Sequence, residues 1–205
     1  MLPIQQPPQF PFAAYNLQNV FNDQEFNQLQ TNINQLEYQP SVIGEWDEKT
    51  KSNTDISDTE LRSSNIKWIP KNQSWGWLYK RLHDCVIKAN VENWNFTITS
   101  IDTEIQYSEY EASQNGHYTW HADMDSGDFS LRKLSVIVQL SSPEEYDGGV
   151  IEFFTGGNYE TMKKPVIREK GLVTIFPSYM IHRVTPVTRG TRKSLVLWVG
   201  GCQFK

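Results

Sequence analysis

Gly116-His117-Tyr118-Thr119-Trp120-His121-Ala122-Asp123 is the stretch that decides how the rest of the chain must fold. Alternate residues of an extended strand point to the same side. His121 and Asp123 therefore project together, with Trp120 and Ala122 on the opposite face. Two ligating side chains on one face need a second layer folded over them, and the surrounding sequence has the grain to supply it. Beyond Asn95 the pattern has period two: Ile101, Thr103, Ile105 and Tyr107 alternate with polar residues, and further strands are expected at 131–140, 149–154, 172–176, 180–184 and 192–199. Breakers separate them: Ser126-Gly127-Asp128, Ser142-Pro143, Asp147-Gly148-Gly149, Gly156-Gly157-Asn158, Pro177-Ser178 and Arg189-Gly190.

Upstream the period is helical. Phe26, Leu29, Ile33 and Leu36 recur at helical spacing over 22–37, and Asn22 followed by Glu25 resembles a capping box. Ser74 is the expected cap of a second helix running to residue 91, with Leu78, Leu82, Cys85, Val86 and Ala89 as its buried stripe. Ser64 to Ile69 alternates as a strand that Pro70 ends. The polar segment 44–62 has no usable period and reads as a disordered insertion or a mobile lid. Helices first and many short strands after define an α+β domain, a double-stranded β-helix (jelly roll) with N-terminal helices packed on one sheet. The expected organisation is an extended leader over 1–21 and a single domain over 22–205, with helical support at 22–95 and the jelly-roll core at 96–202.

Composition sets outer bounds. At 205 residues, 38% hydrophobic and 21% charged, the chain has the make-up of an ordinary soluble domain and no apolar run of membrane-spanning length. Its first residues, Met1-Leu2-Pro3-Ile4-Gln5-Gln6-Pro7-Pro8, lack the basic and apolar regions of a secretory signal. Two cysteines, Cys85 and Cys202, make no disulfide framework and fit a reducing cytoplasm. A net charge of -5 argues against nucleic acid as a partner. Lys163-Lys164, Arg183, Arg189, Arg192 and Lys193 read as a solvated basic edge plus one buried arginine.

His121 and Asp123 lack a third donor on their own strand, and the only histidine downstream is His182, in Tyr179-Met180-Ile181-His182-Arg183-Val184. Two histidines and a carboxylate form the facial triad of non-haem Fe(II) sites, which leaves coordination positions open for small molecules. The last strand adds an independent signal: period two puts Arg192, Ser194, Val196 and Trp198 on one face. An inward guanidinium needs a partner, because an unpaired buried charge is strongly unfavourable. That partner is either an acid of this chain or the far carboxylate of a dicarboxylate ligand, held through two parallel hydrogen bonds while its other end chelates the metal. His83 lies off the stripe of the second helix and reads as a surface histidine. His117 reads as a neighbour of the site, since pairing it with His121 would leave Asp123 idle.

The order His-x-Asp, then a strand opening with Gly-Gly-x-x-x-Phe, then His followed ten residues later by Arg, resembles the 2-oxoglutarate and Fe(II)-dependent dioxygenases of the prolyl 4-hydroxylase type, with bacterial PKHD-type hydroxylases and related phage-encoded proteins the most alike. The resemblance runs over residues 101–201. It is carried by Tyr118-Thr119-Trp120-His121-Ala122-Asp123, by Arg132-Lys133-Leu134-Ser135-Val136-Ile137-Val138-Gln139-Leu140, by Tyr146-Asp147-Gly148-Gly149-Val150-Ile151-Glu152-Phe153, and by His182-Arg183-Val184-Thr185-Pro186-Val187-Thr188-Arg189-Gly190-Thr191-Arg192. It implies that His121, Asp123 and His182 hold Fe(II) and that Arg192 binds the C5 carboxylate of 2-oxoglutarate. Tyr110 would lie near the cosubstrate and Tyr118 would face the substrate, although both could equally be core aromatics with a satisfied hydroxyl. It also implies O2 as oxidant, ascorbate as a further cofactor, release of succinate and CO2, and hydroxylation of a peptide or small molecule, a peptidyl proline first. A non-catalytic jelly-roll binding module is the reading from another class. There are two departures: where some prolyl hydroxylases carry a hydroxyl side chain after the His-x-Asp pair, the aligned residues here are Val138 or Gln139, and His117 adds a second local histidine four before His121.

Overall fold

Period-two sequence becomes two facing antiparallel sheets. A computed structural model of the chain describes residues 14–47, 52–101, 103–154, 163–165 and 167–202. Its first part comprises β1 (Tyr15–Leu17), α1 (Asp23–Asn34), β2 (Gln39–Pro40), β3 (Ile43–Asp47), β4 (Ser52–Ile56), β5 (Arg62–Ser63), β6 (Asn65–Ile69) and α2 (Gly76–Asn93). The rest is strand-rich: β7 (Ile98–Ser100), β8 (Ile105–Glu111), β9 (His117–His121), β10 (Arg132–Gln139), β11 (Tyr146–Gly148), β12 (Ile151–Phe154), β13 (Lys163–Pro165), β14 (Val173–Pro177), β15 (His182–Val184) and β16 (Val187–Gly201). The larger sheet runs β1-β14-β10-β16-β8-β6-β2, with β7 and β11 also paired to β16, and the smaller runs β13-β12-β15-β9-β5. This is the expected double-stranded β-helix, with both helices packed on the outer face of the larger sheet.

Side-chain alternation sorts the two faces. Leu134, Val136 and Val138 of β10, Leu195, Leu197 and Val199 of β16, and Ile105 and Tyr107 of β8 pack against Leu29 and Ile33 of α1 and Leu78, Leu82, Val86 and Ala89 of α2. Fully burying an aliphatic side chain of this size contributes about 1.5–3 kcal/mol. The intervening residues, among them Gln106, Tyr110, Ile137, Arg192, Ser194, Val196 and Trp198, face the space between the sheets. A second apolar cluster, including Phe153 and Val184 of the smaller sheet and Phe176 of the larger, fills part of that space.

The first helix starts as its sequence dictates. Asn22 Oδ1 accepts from the Glu25 amide at 2.9 Å and Glu25 Oε2 accepts from the Asn22 amide at 3.0 Å, a reciprocal capping box. The second helix departs from expectation at its start. Ser74 does not cap it: the Ser74 amide is taken by Asn72 Oδ1 at 3.0 Å, Trp75 occupies the cap position without a side-chain bond, and the helix runs from Gly76 to Asn93. An Asx turn competed successfully with the cap. The buried stripe is as predicted, extended by Asn90, whose amide side chain bonds both the Phe96 amide and carbonyl at 2.9 Å.

Segment 44–62 is another correction. Its described residues, all but 48–51, are not a structureless insertion, because β3 and β4 pair as an antiparallel ribbon from Ile43↔Ile56 to Asp47↔Ser52, and Arg62–Ser63 forms the edge strand of the smaller sheet. A ribbon held by main-chain ladder bonds leaves no apolar period to read. The expected leader 1–21 lies outside the described residues up to position 13, and its end, β1, pairs with β14. The expected Gly156-Gly157-Asn158 turn also lies outside them. Among the described residues no helix is long and apolar enough to cross a membrane.

Candidate active site

The metal-ligand candidates come from the two central strands of the smaller sheet. The register pairs His182 of β15 directly with His121 of β9, which sets their ring centroids 4.2 Å apart. Asp123 follows the end of β9 in a segment pinned by the Met124 amide on the Ser178 carbonyl at 2.9 Å. Its carboxylate lies 3.7 Å from His121 Nε2 and 3.6 Å from His182 Nε2, and one ligating atom from each residue falls within 4.8 Å of the others.

Tautomers follow from the backbone. His121 Nδ1 lies 2.8 Å from the Thr119 carbonyl and His182 Nδ1 lies 2.9 Å from the Met180 carbonyl. A carbonyl only accepts, so each Nδ1 carries the proton and each Nε2 offers its lone pair to the centre. Burial, then the neighbouring His182, push the His121 imidazole from 6.5 down to about 3, which keeps it neutral at physiological pH. Burial alone would raise the Asp123 carboxyl, but the two imidazoles, the Ser135 hydroxyl and Arg132 outweigh it and hold it below its ordinary value. Two imidazoles presenting Nε2 and one carboxylate, gathered at the inner end of the cavity, suit a divalent cation with open coordination positions.

Arg192 enters the same cavity from β16, opposite Tyr110 in the register. It is 2% exposed, its Nη1 donates to Ser194 Oγ at 3.2 Å, and its Nη2 is a buried donor with no partner. Among the described residues no carboxylate pairs with it, so the internal salt bridge is absent. A buried orphan N–H on a cation beside a metal triad fits the far carboxylate of a chelating dicarboxylate. Gly149, at φ +56°, lets the backbone pass here, since an added Cβ would lie 3.0 Å from Arg192 Cδ.

Both tyrosines line the cavity. Tyr110 has its ring centroid 5.5 Å from Arg192 Cζ, and Tyr118 stacks on His121 at 3.6 Å and 14°. Burial raises the Tyr118 hydroxyl to about 12, so it stays protonated. The hydroxyl-site alignment is corrected: Val138 points to the helices, Gln139 bonds Tyr146 Oη at 3.0 Å behind Arg192, and Ile137 forms the wall. His117 bridges the Asn115 and Glu60 carbonyls at 2.7 and 2.9 Å, outside the triad. His83 is exposed. The basic edge is largely neutralised by Arg183–Glu152 at 2.7 Å, Arg189–Asp147 at 2.6 Å and Lys193–Glu109 at 3.5 Å. The side chains of Lys163 and Lys164 lie outside the described residues.

Sequence reasoning missed Arg62, Arg132, Ser135 and Gln106. Arg62 and Gln106 line the inner cavity, Arg132 donates to the Asp123 carbonyl at 3.1 Å, and the Ser135 hydroxyl bonds the Asp123 carboxylate. Ser135 and Gln106 were readable only as polar residues alternating with apolar ones inside strands. The two arginines gave no local signal.

The jelly roll thus encloses a two-histidine, one-carboxylate triad and a buried arginine that meets no carboxylate among the described residues. Residues 105–200 match the family described as the 2OG-Fe(II) oxygenase superfamily. This stretch carries the whole triad and Arg192. In sequence it is similar to a PKHD-type hydroxylase of Hyphomonas neptunium, 44% identical over 40% of this chain and 37% of that protein. A PKHD-type hydroxylase of a Synechococcus strain is matched over 54% of its length, so the chain spans about half or less of these relatives. In structure it is similar to a Pseudomonas putida prolyl-4-hydroxylase, with TM-score 0.66 and 17% identity over 93% of this chain and 94% of that one. A Trichoplax adhaerens prolyl hydroxylase, solved with a hypoxia inducible factor peptide fragment, gives TM-score 0.66 and 15% identity over 92% and 83%.

Proposed function

We propose that the protein is an Fe(II)- and 2-oxoglutarate-dependent hydroxylase of an unactivated C–H bond, releasing succinate and CO2. His121, Asp123 and His182 would hold the iron, and Arg192 with Ser194 would bind the distal carboxylate of 2-oxoglutarate. The observation that carries the reading is the partnerless Nη2 of Arg192, buried in the cavity that the triad also lines. A binding module with a structural metal has no use for a buried, uncompensated guanidinium there.

The iron and cosubstrate would supply the oxidising chemistry with O2, and the chain's part is orientation and shielding. Backbone carbonyls fix both imidazole tautomers. Phe153 and Phe176 pack around His182, and Tyr118 covers His121, which shields those sides of the centre from water. From His121 and Asp123 a cleft of about 600 Å³ leads outward past Trp198, Phe129 and Trp68. Its size admits an extended peptide or a small molecule. The peptide bound to the Trichoplax enzyme and the prolyl-hydroxylase fold support peptidyl proline as the first substrate to try.

Anaerobic addition of Fe(II) and 2-oxoglutarate should produce the weak visible charge-transfer band of the chelate, and His182→Ala should abolish it. No band in the wild type, or a band that survives the substitution, would overturn the reading. Admission of O2 should then yield succinate.

A further inference from the structure

We propose that Arg62 and Arg132 form an oxyanion subsite at the mouth of the active site, and that the substrate presents a carboxylate or phosphate there beside the carbon to be oxidised. This rests on the reading above, in which the triad and Arg192 hold iron and 2-oxoglutarate.

The two guanidinium groups come from opposite sheets. Arg62 lies on β5, paired with Tyr118, and Arg132 opens β10. Both line the outer cleft that begins at the triad. Arg62 is 7% exposed, its Nε donates to Ser64 Oγ at 3.0 Å, and its Cζ sits 4.9 Å from the centre of the Tyr118 ring. Its two terminal nitrogens have no partner among the described residues. Arg132 is held between rings, with Cζ 4.1 Å from the Phe129 centroid and 4.3 Å from that of Trp198. Its Nη1 donates to the Asp123 carbonyl at 3.1 Å, which leaves the rest of the guanidinium edge for a ligand. A guanidinium clamped between aromatic faces has its plane fixed in advance, the condition for bidentate recognition of an oxyanion.

Among the described residues the acids lining the cleft are Asp123 and Asp125. Asp123 faces the metal, and Asp125 is exposed, with Oδ1 on the Ser126 amide at 2.7 Å. Elsewhere Arg81, Arg183, Arg189 and Lys193 each meet a carboxylate. Asp123 is the acid that acts on Arg132 and would also neutralise the metal, so with the metal bound the free edges of the two guanidinium groups can take an anionic ligand. Iron and Arg192 already account for both carboxylates of 2-oxoglutarate, so this anion belongs to the second molecule.

The test needs no known substrate and no turnover. The protein is loaded with Zn(II) and 2-oxoglutarate, then titrated with acetate or with sulfate against chloride at constant ionic strength, following the melting temperature. A saturable rise with acetate would identify a carboxylate site, and one with sulfate a phosphate-like site. Arg132→Gln and Arg62→Gln should each weaken that binding about tenfold or more. Arg132→Lys should recover part of it, and Arg189→Gln should leave it unchanged. Equal responses to both oxyanions and chloride, or responses unchanged in the two Gln variants, would refute the subsite. The Fe(II) band separates the two sources of anion: Arg132→Gln should displace the 2-oxoglutarate titration by less than about twofold. A displacement as large as that of an Arg192 variant would assign Arg132 to the cosubstrate and also refute it. Absence of the band in the wild type would instead overturn the iron and 2-oxoglutarate reading, and it is seen before either anion is added.

Discussion

On β16, Leu195, Leu197 and Val199 face the helices, while Arg192, Ser194, Val196 and Trp198 face the metal site. The same strand thus builds two regions of opposite character. Toward α1 and α2 these three positions are filled by aliphatic side chains whose burial stabilises the fold. Toward the smaller sheet, buried polar groups stand with incomplete partners, among them Arg192 Nη2. Burying these groups costs stability unless a ligand completes them. The difference separates scaffold from site: substitutions on the outer face should act on folding, and those on the inner face on binding.

The sharpest way to break this division is on β16 itself. Leu197→Ala removes a side chain with no exposed surface and should lower unfolding stability by about 2–5 kcal/mol, measured by urea denaturation. Its 2-oxoglutarate titration, followed by the Fe(II) band at a temperature where the variant is folded, should not move. The inner-face counterpart is Arg192→Met. Losing charge-assisted bonds worth about 3 kcal/mol in all should weaken 2-oxoglutarate binding roughly a hundredfold. The urea midpoint without ligand should hold or rise, because a buried charge without an acid partner has been removed. A large fall in that midpoint would mean that Arg192 is structural and that the two faces do not divide the work.

How much of this was legible in the sequence follows the same division. The stripes Leu78, Leu82, Val86 and Leu134, Val136, Val138 could be read because helical and strand periods are local properties. His121, Asp123, His182 and Arg192 could be read because few residue types serve their chemistry. The β3–β4 ribbon was missed because main-chain pairing leaves no side-chain signature there. Arg62 and Arg132 were missed because what distinguishes them, the stacking of Tyr118, Phe129 and Trp198 on their guanidinium groups, exists only once β5 pairs with β9 and β10 with β16. The start of α2 was misplaced because Asn72 and Ser74 were both able to organise that turn, and sequence spacing does not rank them.

The smallest expected effect lies in the helical layer and tests whether that layer is indifferent to charge. Glu25 joins the capping box of α1 and meets Arg81 of α2, with Oε1 2.5 Å from Nη2. The Asn22 amide, opposed by modest burial and assisted by Arg81, holds its carboxyl below the ordinary 4.5. A carboxyl whose folded-state value is depressed contributes stability in full above its unfolded value and loses it as pH falls through the folded one. Glu25→Gln keeps a capping side chain but removes the charge, and should cost about 0.5 kcal/mol or less at neutral pH, given the exposure of the pair. The difference between wild type and variant in urea midpoint should stay constant from pH 7 to about 5 and close below 4.5. Because the pair sits beyond the aliphatic face of the larger sheet, the 2-oxoglutarate titration should be unchanged; a shift would show that the helices transmit charge to the site, and the division between the two faces would have to be abandoned.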